Sequence, residues 1–158
     1  MSQPSRQPAS STRRPAPPSI TETRYGTQIK WTIYSDFKQG NEVQARILEE
    51  VGKFKYNSDS VFAIKLSLEE AVVNAIKHGN KGDPNKKVHI EALIGPDQTE
   101  LKIEDEGPGF VRTDVPDPTS PENLEKCSGR GILLIEAYMT SVSWSNGGKC
   151  MHMVKRND

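Results

Sequence analysis

Glu70 and Asn74 stand four residues apart in a stretch with helical periodicity, and Lys77 and His78 follow one turn later. At 1.5 Å per residue, the carboxylate and the amide share one helix face and are offset by about 6 Å along the axis. Amide and carboxylate oxygens suit a hard divalent ion, a cation suits phosphate, and a carboxylate can accept the proton of an attacking hydroxyl. These four residues, called the polar row below, predict a site for a magnesium-bound phosphate. Taken alone, the polar row could instead be a solvated polar face of the helix.

Two glycine-bearing stretches could bring the backbone close to a nucleotide. Residues 105–110, Asp-Glu-Gly-Pro-Gly-Phe, follow a predicted strand, where the Asp105 carboxylate can accept a hydrogen bond from an exocyclic amine such as that of adenine. Gly129-Arg130-Gly131 opens an apolar predicted helix, whose free N–H groups attract phosphate. A plain Pro-Gly turn and a flexible helix start are the alternatives. The sequence contains neither a Walker A motif nor a Gly-x-Gly-x-x-Gly fingerprint. A nucleotide would therefore have to be bound by a fold that uses neither motif.

The elements that must position these residues alternate between strands and helices. Period-two alternation and turn signals predict five strands, over 27–34, 87–94, 100–104, 141–145 and 149–155. Helical spacing of apolar residues predicts three helices, over about 38–53, 58–79 and 132–139, the second of them capped by Ser58 or Asp59. We expect an α+β two-layer sandwich, with a mixed, mostly antiparallel sheet and three helices on one face.

Two segments differ in composition from the rest. Residues 1–25 are rich in Pro, Ser and Arg, which predicts a disordered tail before a single domain over 26–158. An organelle transit peptide is the alternative, but the prolines would break the amphipathic helix that such peptides need. Residues 111–128 contain three prolines and are long for a connection, so we predict a lid there.

The composition excludes several classes of function. The 158 residues leave room for one ordinary domain. Lys and Arg number 21, as do Asp and Glu, so the basic excess of a direct nucleic-acid binder is missing. A membrane span is not expected, because no run of about 18 apolar residues is present. With two cysteines, no Cys-x-x-Cys pair and no secretory signal, we expect a cytoplasmic protein with reduced thiols.

Taken in order, the three motif stretches resemble the ATP-binding domain of the gyrase, chaperone, histidine-kinase and mismatch-repair ATPases, the histidine-kinase-like or Bergerat fold. Glu70-x-x-x-Asn74-x-x-x-His78 resembles the N box, Asp105-x-Gly107-x-Gly109 the first glycine box and Gly129-x-Gly131 the second. More narrowly, residues 68–79 and 129–135 are similar to the bacterial anti-sigma-factor serine kinases. The resemblance covers roughly residues 27–156.

The resemblance implies that ATP lies between the second helix and the lid. It implies that Asn74 binds Mg²⁺, that Glu70 is the general base for a protein serine hydroxyl, and that Asp105 reads the adenine amine. The other implied nucleotide-binding residues are Lys77, His78, Gly107, Gly109, Phe110, Gly129, Arg130 and Gly131. Glu69 is the rival base, but it is rotated about 100° from Glu70 around the helix. His78 is alternatively a helix-end residue that interacts with the dipole.

The resemblance also implies a function. A protein of this family is an ATP-dependent serine kinase that binds a sigma factor and phosphorylates an anti-anti-sigma protein of the STAS type, and a homodimer is the family expectation. The alternatives are a nucleotide-binding interaction module without phosphotransfer and an ATPase without a protein acceptor. One residue departs from the family pattern, because Lys149 stands where the family usually has a Thr that supports the adenine-binding Asp.

Overall fold

The strands form one sheet in a computed structural model that describes residues 13–109 and 127–158, with the backbone alone for 127–130. The six strands are β1 (Ser19–Thr23), β2 (Gly26–Tyr34), β3 (Lys87–Ile94), β4 (Gln98–Glu104), β5 (Ser141–Ser145) and β6 (Cys150–Arg156). Their order is β1-β2-β3-β4-β6-β5, and every neighbouring pair is antiparallel. The sequence predicted a mixed, mostly antiparallel sheet, and a helix joins β4 to β5. These two strands do run in the same direction, but β6 lies between them, so no parallel pair forms among the described strands.

One face of the sheet is apolar and the other is polar. Four residues that face each other across neighbouring strands are almost fully buried, namely Ile29, Ala92, Leu101 and Met153. The next row on the opposite face consists of Lys30, Glu91, Lys102 and His152, none of which is buried. Since side chains alternate between the faces of a strand, the period-two pattern places the whole core on one side.

Three helices cover the apolar face, which confirms the predicted two-layer architecture. They are α1 (Phe37–Val51), α2 (Ser58–Asn74) and α3 (Cys127–Tyr138). Their apolar stripes enter the same core through Val43 and Ile47, through Ile64, Leu68 and Val72, and through Ile135. The N-cap of α2 is Asn57, whose extended backbone lets its side chain accept from Ser60 N at 2.7 Å, and not the predicted Ser58 or Asp59.

The N-terminal region differs from the prediction. Ser19–Thr23 falls in the predicted 1–25 tail but forms the edge strand β1, which a tight turn at Arg24 and Tyr25 returns to β2. Thr23 Oγ1 stabilises that turn by accepting from Tyr25 N at 3.1 Å. All five β1 residues are exposed, so no apolar alternation marks the strand in the sequence. Residues 1–12 lie outside the described part of the chain.

Candidate functional site

Glu70 lies where α2 meets α3. A Cβ built on Gly131 would be 2.8 Å from Glu70 Oε1, so the carboxylate lies against a stretch of backbone that a side chain would obstruct. Glu70 is half-buried, whereas the neighbouring Glu69 is exposed. The structure therefore places Glu70 beside the second glycine motif and leaves Glu69 in solvent.

Asn74, Lys77 and His78 continue the row beyond Glu70. Asn74 is the last residue of α2, and Lys77 and His78 lie in the segment that follows. Asn74 and His78 are half-buried, and Lys77 is exposed. Burial, together with the Lys77 charge, lowers the pKa of His78, and His78 Nε2 is buried without a hydrogen-bond partner among the described residues. The imidazole is thus neutral at neutral pH, which argues against a charged interaction with the helix dipole.

A π-helix carries the end of this row to the first glycine motif. It spans Ala75–Gly79, and Asn80 N donates to Ala75 O at 2.8 Å. Single π-helical turns inside or at the end of α-helices are frequent at functional sites. A side chain on Gly79 would overlap the Asp105 carboxylate, and one on Gly107 would overlap the Gly79 carbonyl. The two glycines therefore allow the helix end and the Asp105 turn to pack directly on each other.

Asp105 is held by backbone groups on both sides. Its N–H donates to Lys149 O at 3.1 Å, and its Oδ1 accepts from Gly107 N at 2.8 Å. The hydrogen bond from Gly107 uses Oδ1, whereas Oδ2 lies against the Gly79 backbone and accepts no hydrogen bond from the described residues. Burial raises the pKa of Asp105, while the Gly107 N–H and the Lys149 charge oppose that rise. A half-buried carboxylate with one free oxygen is suited to accept a hydrogen bond from an amine.

Lys149, the departure from the family pattern, lies beside Asp105. The Lys149 carbonyl accepts a hydrogen bond from Asp105 N. The Lys149 side chain lies close to Gly109, because a Cβ built on that glycine would be 3.2 Å from Lys149 Cγ. Gly109 has φ of 81°, a conformation that favours glycine, and it approaches the Gly147 carbonyl closely. Lys149 thus contacts the aspartate through its backbone carbonyl and acts on it through its charge, at the position where the resemblance leads us to expect a Thr hydroxyl.

Two residues of the site were missed by sequence reasoning. Asn80 is fully buried, and its side chain donates to Ser35 Oγ and Lys87 O and accepts from Glu106 N. Glu106 accepts from Lys87 N and pairs with His89 Nε2, each at 2.9 Å. In the sequence, Asn80 looks like an ordinary turn residue after a helix-ending glycine, and Glu106 like an exposed acid. No local signal marks either of them.

The second glycine motif is placed differently from the prediction. α3 begins at Cys127, so Gly129 and Arg130 lie within its first turn rather than opening it. Because the first four N–H groups of a helix lack intrahelical partners, both residues remain within reach of a phosphate by backbone geometry. Phe110 lies outside the described residues, as does the predicted lid over 111–128 except for its last two residues, Cys127 and Ser128, which belong to α3 instead of the lid.

The donors along α2 fit a magnesium-bound phosphate. Glu70 and Asn74 share one helix face at four-residue spacing, and both are half-buried. Carboxylate and amide oxygens are ligands that Mg²⁺ accepts when phosphates and water complete its shell.

Among residues 13–109 and 127–158, no helix has the length and apolar character to cross a membrane.

Comparison with known proteins identifies a domain family and several similar proteins. The sequence profile of the histidine kinase-like ATPase domain matches residues 36–155, a span that contains all of the site residues. The chain is 34% identical over 123 residues to an anti-sigma F factor of Geobacillus sp. strain WCH70, covering 73% of this chain and 84% of the relative. It is 38% identical over 104 residues to that of Oceanobacillus iheyensis, covering 62% and 70%. It is also similar to an anti-sigma F factor of Clostridium perfringens strain SM101, at 38% over 99 residues, covering 59% and 70%.

Proposed function

Because this chain belongs to the histidine kinase-like ATPase domain family, we propose that it is an ATP-dependent protein serine kinase that acts as an anti-sigma factor. The protein it inhibits is a sigma factor, and its phosphate acceptor is a serine of an anti-anti-sigma protein of the STAS type. The names of the anti-sigma F factor relatives support the sigma factor as a partner. These partners place the protein in the cytoplasm, and a homodimer is part of the proposal.

In the proposed complex the nucleotide extends along α2 and the π-helix, from the Asp105 turn at one end to the first turn of α3 at the other. At one end, Asp105 Oδ2 accepts a hydrogen bond from the adenine amine, and Gly107 and Gly109 make room for the base. At the other end, the first turn of α3 offers the N–H groups of Gly129 and Arg130 to the phosphates. Gly79 follows Glu70 by nine positions, which would span about 13.5 Å in an α-helix and spans somewhat less here because residues 75–79 are π-helical. An extended nucleoside triphosphate likewise has its base and its γ-phosphate at opposite ends.

The position of Glu70 against Gly131 is the observation that carries the kinase proposal. It brings a half-buried carboxylate against the N-terminal part of α3, which in the proposed complex would face the phosphates; there Asn74 would hold Mg²⁺ and the ion would neutralise phosphate charge. Glu70 accepts the proton of the serine hydroxyl, and the serine oxygen forms a bond to the γ-phosphorus. The bond from that phosphorus to the β,γ-bridging oxygen breaks, and ADP leaves.

A phosphotransfer assay with a matched pair of variants tests the proposal. Labelled ATP, Mg²⁺ and a STAS-type antagonist domain are incubated with the wild type, Glu70→Gln or Glu69→Gln. Loss of a general base lowers the transfer rate by about 10²- to 10⁴-fold, so Glu70→Gln should lose serine phosphorylation to that extent. Glu69→Gln makes the same change in charge one residue away, in solvent, and should transfer phosphate at the wild-type rate.

Other outcomes of this assay separate the alternatives. ATP binding without phosphotransfer to any acceptor would replace the kinase by a nucleotide-binding interaction module. Release of phosphate in the absence of a protein acceptor, at a rate equal to that with the acceptor, would replace it by an ATPase. Serine phosphorylation that depends on Glu69 instead of Glu70 would leave the kinase but change its base.

A further inference from the structure

Asn80 is a buried side chain near the candidate site whose nitrogen and oxygen are both hydrogen-bonded. It has no exposed surface. Its Nδ2 donates to Ser35 Oγ at 3.0 Å and to Lys87 O at 2.9 Å, and its Oδ1 accepts from Glu106 N at 2.7 Å. Both donor hydrogens and the acceptor of the amide are therefore used. One side chain joins the end of the π-helix to the segment after β2, to the start of β3 and to the turn after β4.

The bond from Glu106 N matters because of the residue that precedes Glu106. Three consecutive N–H groups fix this turn: Asp105 N donates to Lys149 O, Glu106 N to Asn80 Oδ1, and Gly107 N to Asp105 Oδ1. The first acceptor is a backbone carbonyl and the third belongs to the turn itself. Of these three acceptors, Asn80 Oδ1 is therefore the one that belongs to a side chain outside the turn.

The turn also has little room to relax. The Gly79 backbone lies against the Asp105 carboxylate so closely that a side chain on that glycine would overlap it. Asn80 is the next residue after Gly79, so it couples the helix end that contacts Asp105 to the turn that carries Asp105. A buried hydrogen bond of this kind fixes orientation and leaves its partners unsatisfied when it is removed.

We infer that Asn80 is a positioning residue: by holding the Glu106 N–H, it orients Asp105 toward the exocyclic amine of the base and so sets the preference of this protein for adenine nucleotides. The inference rests on the role of Asp105 in the proposed function. It assigns Asn80 no contact with the nucleotide.

The test compares two nucleotides on matched variants by calorimetry. ATP is titrated beside purine riboside 5′-triphosphate, which lacks the exocyclic amine, into the wild type, Asn80→Ala and Asn157→Ala. Asn157 Nδ2 also donates to two backbone carbonyls, Lys55 O and Pro96 O, but at the opposite end of the sheet. Asn80→Ala should weaken the binding of ATP by about tenfold, or 1.4 kcal/mol, and the binding of the analogue by less than about twofold. Asn157→Ala should change neither affinity.

Two further arms show whether the effect passes through Asp105. In an Asp105→Asn background, Asn80→Ala should cause no additional loss of ATP affinity, because the group it positions is gone. Ser35→Ala removes one of the two anchors of the Asn80 amide, and it should weaken ATP selectively but less than Asn80→Ala does. Ser35→Ala also serves as the binding test if Asn80→Ala fails to fold. In the nucleotide-free protein, hydrogen exchange at the Glu106 amide should accelerate in Asn80→Ala or Ser35→Ala and not in Asn157→Ala.

Each contrary result has a distinct meaning. Equal weakening of ATP and the analogue, or an additive loss in the Asp105→Asn background, would overturn the positioning role. So would unchanged exchange at the Glu106 amide in both Asn80→Ala and Ser35→Ala. A wild type that binds the two nucleotides equally would remove the role of Asp105 and this inference with it. If the Asn80-dependent discrimination is found but no serine is phosphorylated, the kinase proposal fails and this inference stands.

Discussion

Gly131→Ala should separate stability from activity. The substitution adds one methyl group to α3 at the point where Glu70 Oε1 would be 2.8 Å from it. In a helix interior, Ala is more stable than Gly by about 0.5–1 kcal/mol. The opposing cost comes from the displaced carboxylate. It must withdraw by roughly 0.6 Å to reach an ordinary contact of 3.4 Å, and moving a side chain off its rotamer costs about 0.5–1.5 kcal/mol.

The gain in helix propensity and the cost of moving the carboxylate nearly cancel in the free energy of unfolding. The phosphotransfer rate does not benefit from this cancellation, because it depends on where the carboxylate lies. We expect the free energy of unfolding to change by less than about 1 kcal/mol, because the end of the Glu70 side chain can swing aside. A catalytic group that is misplaced by about 1 Å can cost 10²-fold in rate, so phosphotransfer should fall by about 10- to 100-fold. Urea denaturation measures the first quantity, and serine phosphorylation at saturating ATP measures the second.

Gly52→Ala is the matched control for this prediction. Gly52 is the C-cap of α1 with φ of −64°, and its nearest neighbour to an added Cβ is Glu49 O at 3.4 Å, so a methyl group fits there without strain. It should change stability by a similar small amount and leave phosphotransfer unchanged. A Gly131→Ala protein that is as active as the wild type would refute the placement of Glu70. A loss of more than about 2 kcal/mol would refute the claim that the carboxylate can move aside.

Four other predictions concern the Asp105 turn and the far end of the sheet. Gly107→Ala should abolish ATP binding in calorimetry, because its methyl would overlap the Gly79 carbonyl; retained affinity would contradict this packing. Asp105→Asn should weaken ATP binding to an affinity that calorimetry still measures, yet be more stable than the wild type at neutral pH without nucleotide. Burial raises the pKa of Asp105 above its ordinary 3.8, so the wild type loses stability as pH rises through the folded-state pKa, and the difference measured in urea should vanish below pH 3.8. Equal stability at neutral pH would contradict that sign. Glu50→Ala should cost about 3 kcal/mol of folding free energy, because it removes a buried carboxylate that pairs with half-buried Arg46 and leaves the buried Thr27 hydroxyl without its acceptor, and it should not change ATP affinity. Thr27→Val, which removes one of those partners, should cost about 1 kcal/mol, and a loss as large as that of Glu50→Ala would show that the hydroxyl dominates the cluster.

Most of the secondary structure follows from local patterns. The predicted strand over 27–34 is observed as β2, Gly26–Tyr34, and the strand over 87–94 as β3 with the same bounds. Both have one buried and one polar face, so their alternation records the layer structure of the fold. β1 has no buried face and left no such pattern. The π-helix over 75–79 was predicted as ordinary helix, because the same apolar periodicity serves both conformations at this length.

The sequence by itself determined which residue types are present and which of them share a helix face or follow a strand. Glu70 and Asn74 lie on one face because helix geometry is local, and Asp105 follows β4 because a strand ends there. Only the tertiary structure decided that Gly131 faces Glu70, that Gly79 packs on Asp105, and that Lys149 and Asn80 hold the Asp105 turn. These contacts join residues that are 26 to 61 positions apart, and their distances depend on how α2, α3 and the sheet pack together. No propensity or spacing along the chain encodes such packing, because it depends on the simultaneous fit of the whole core.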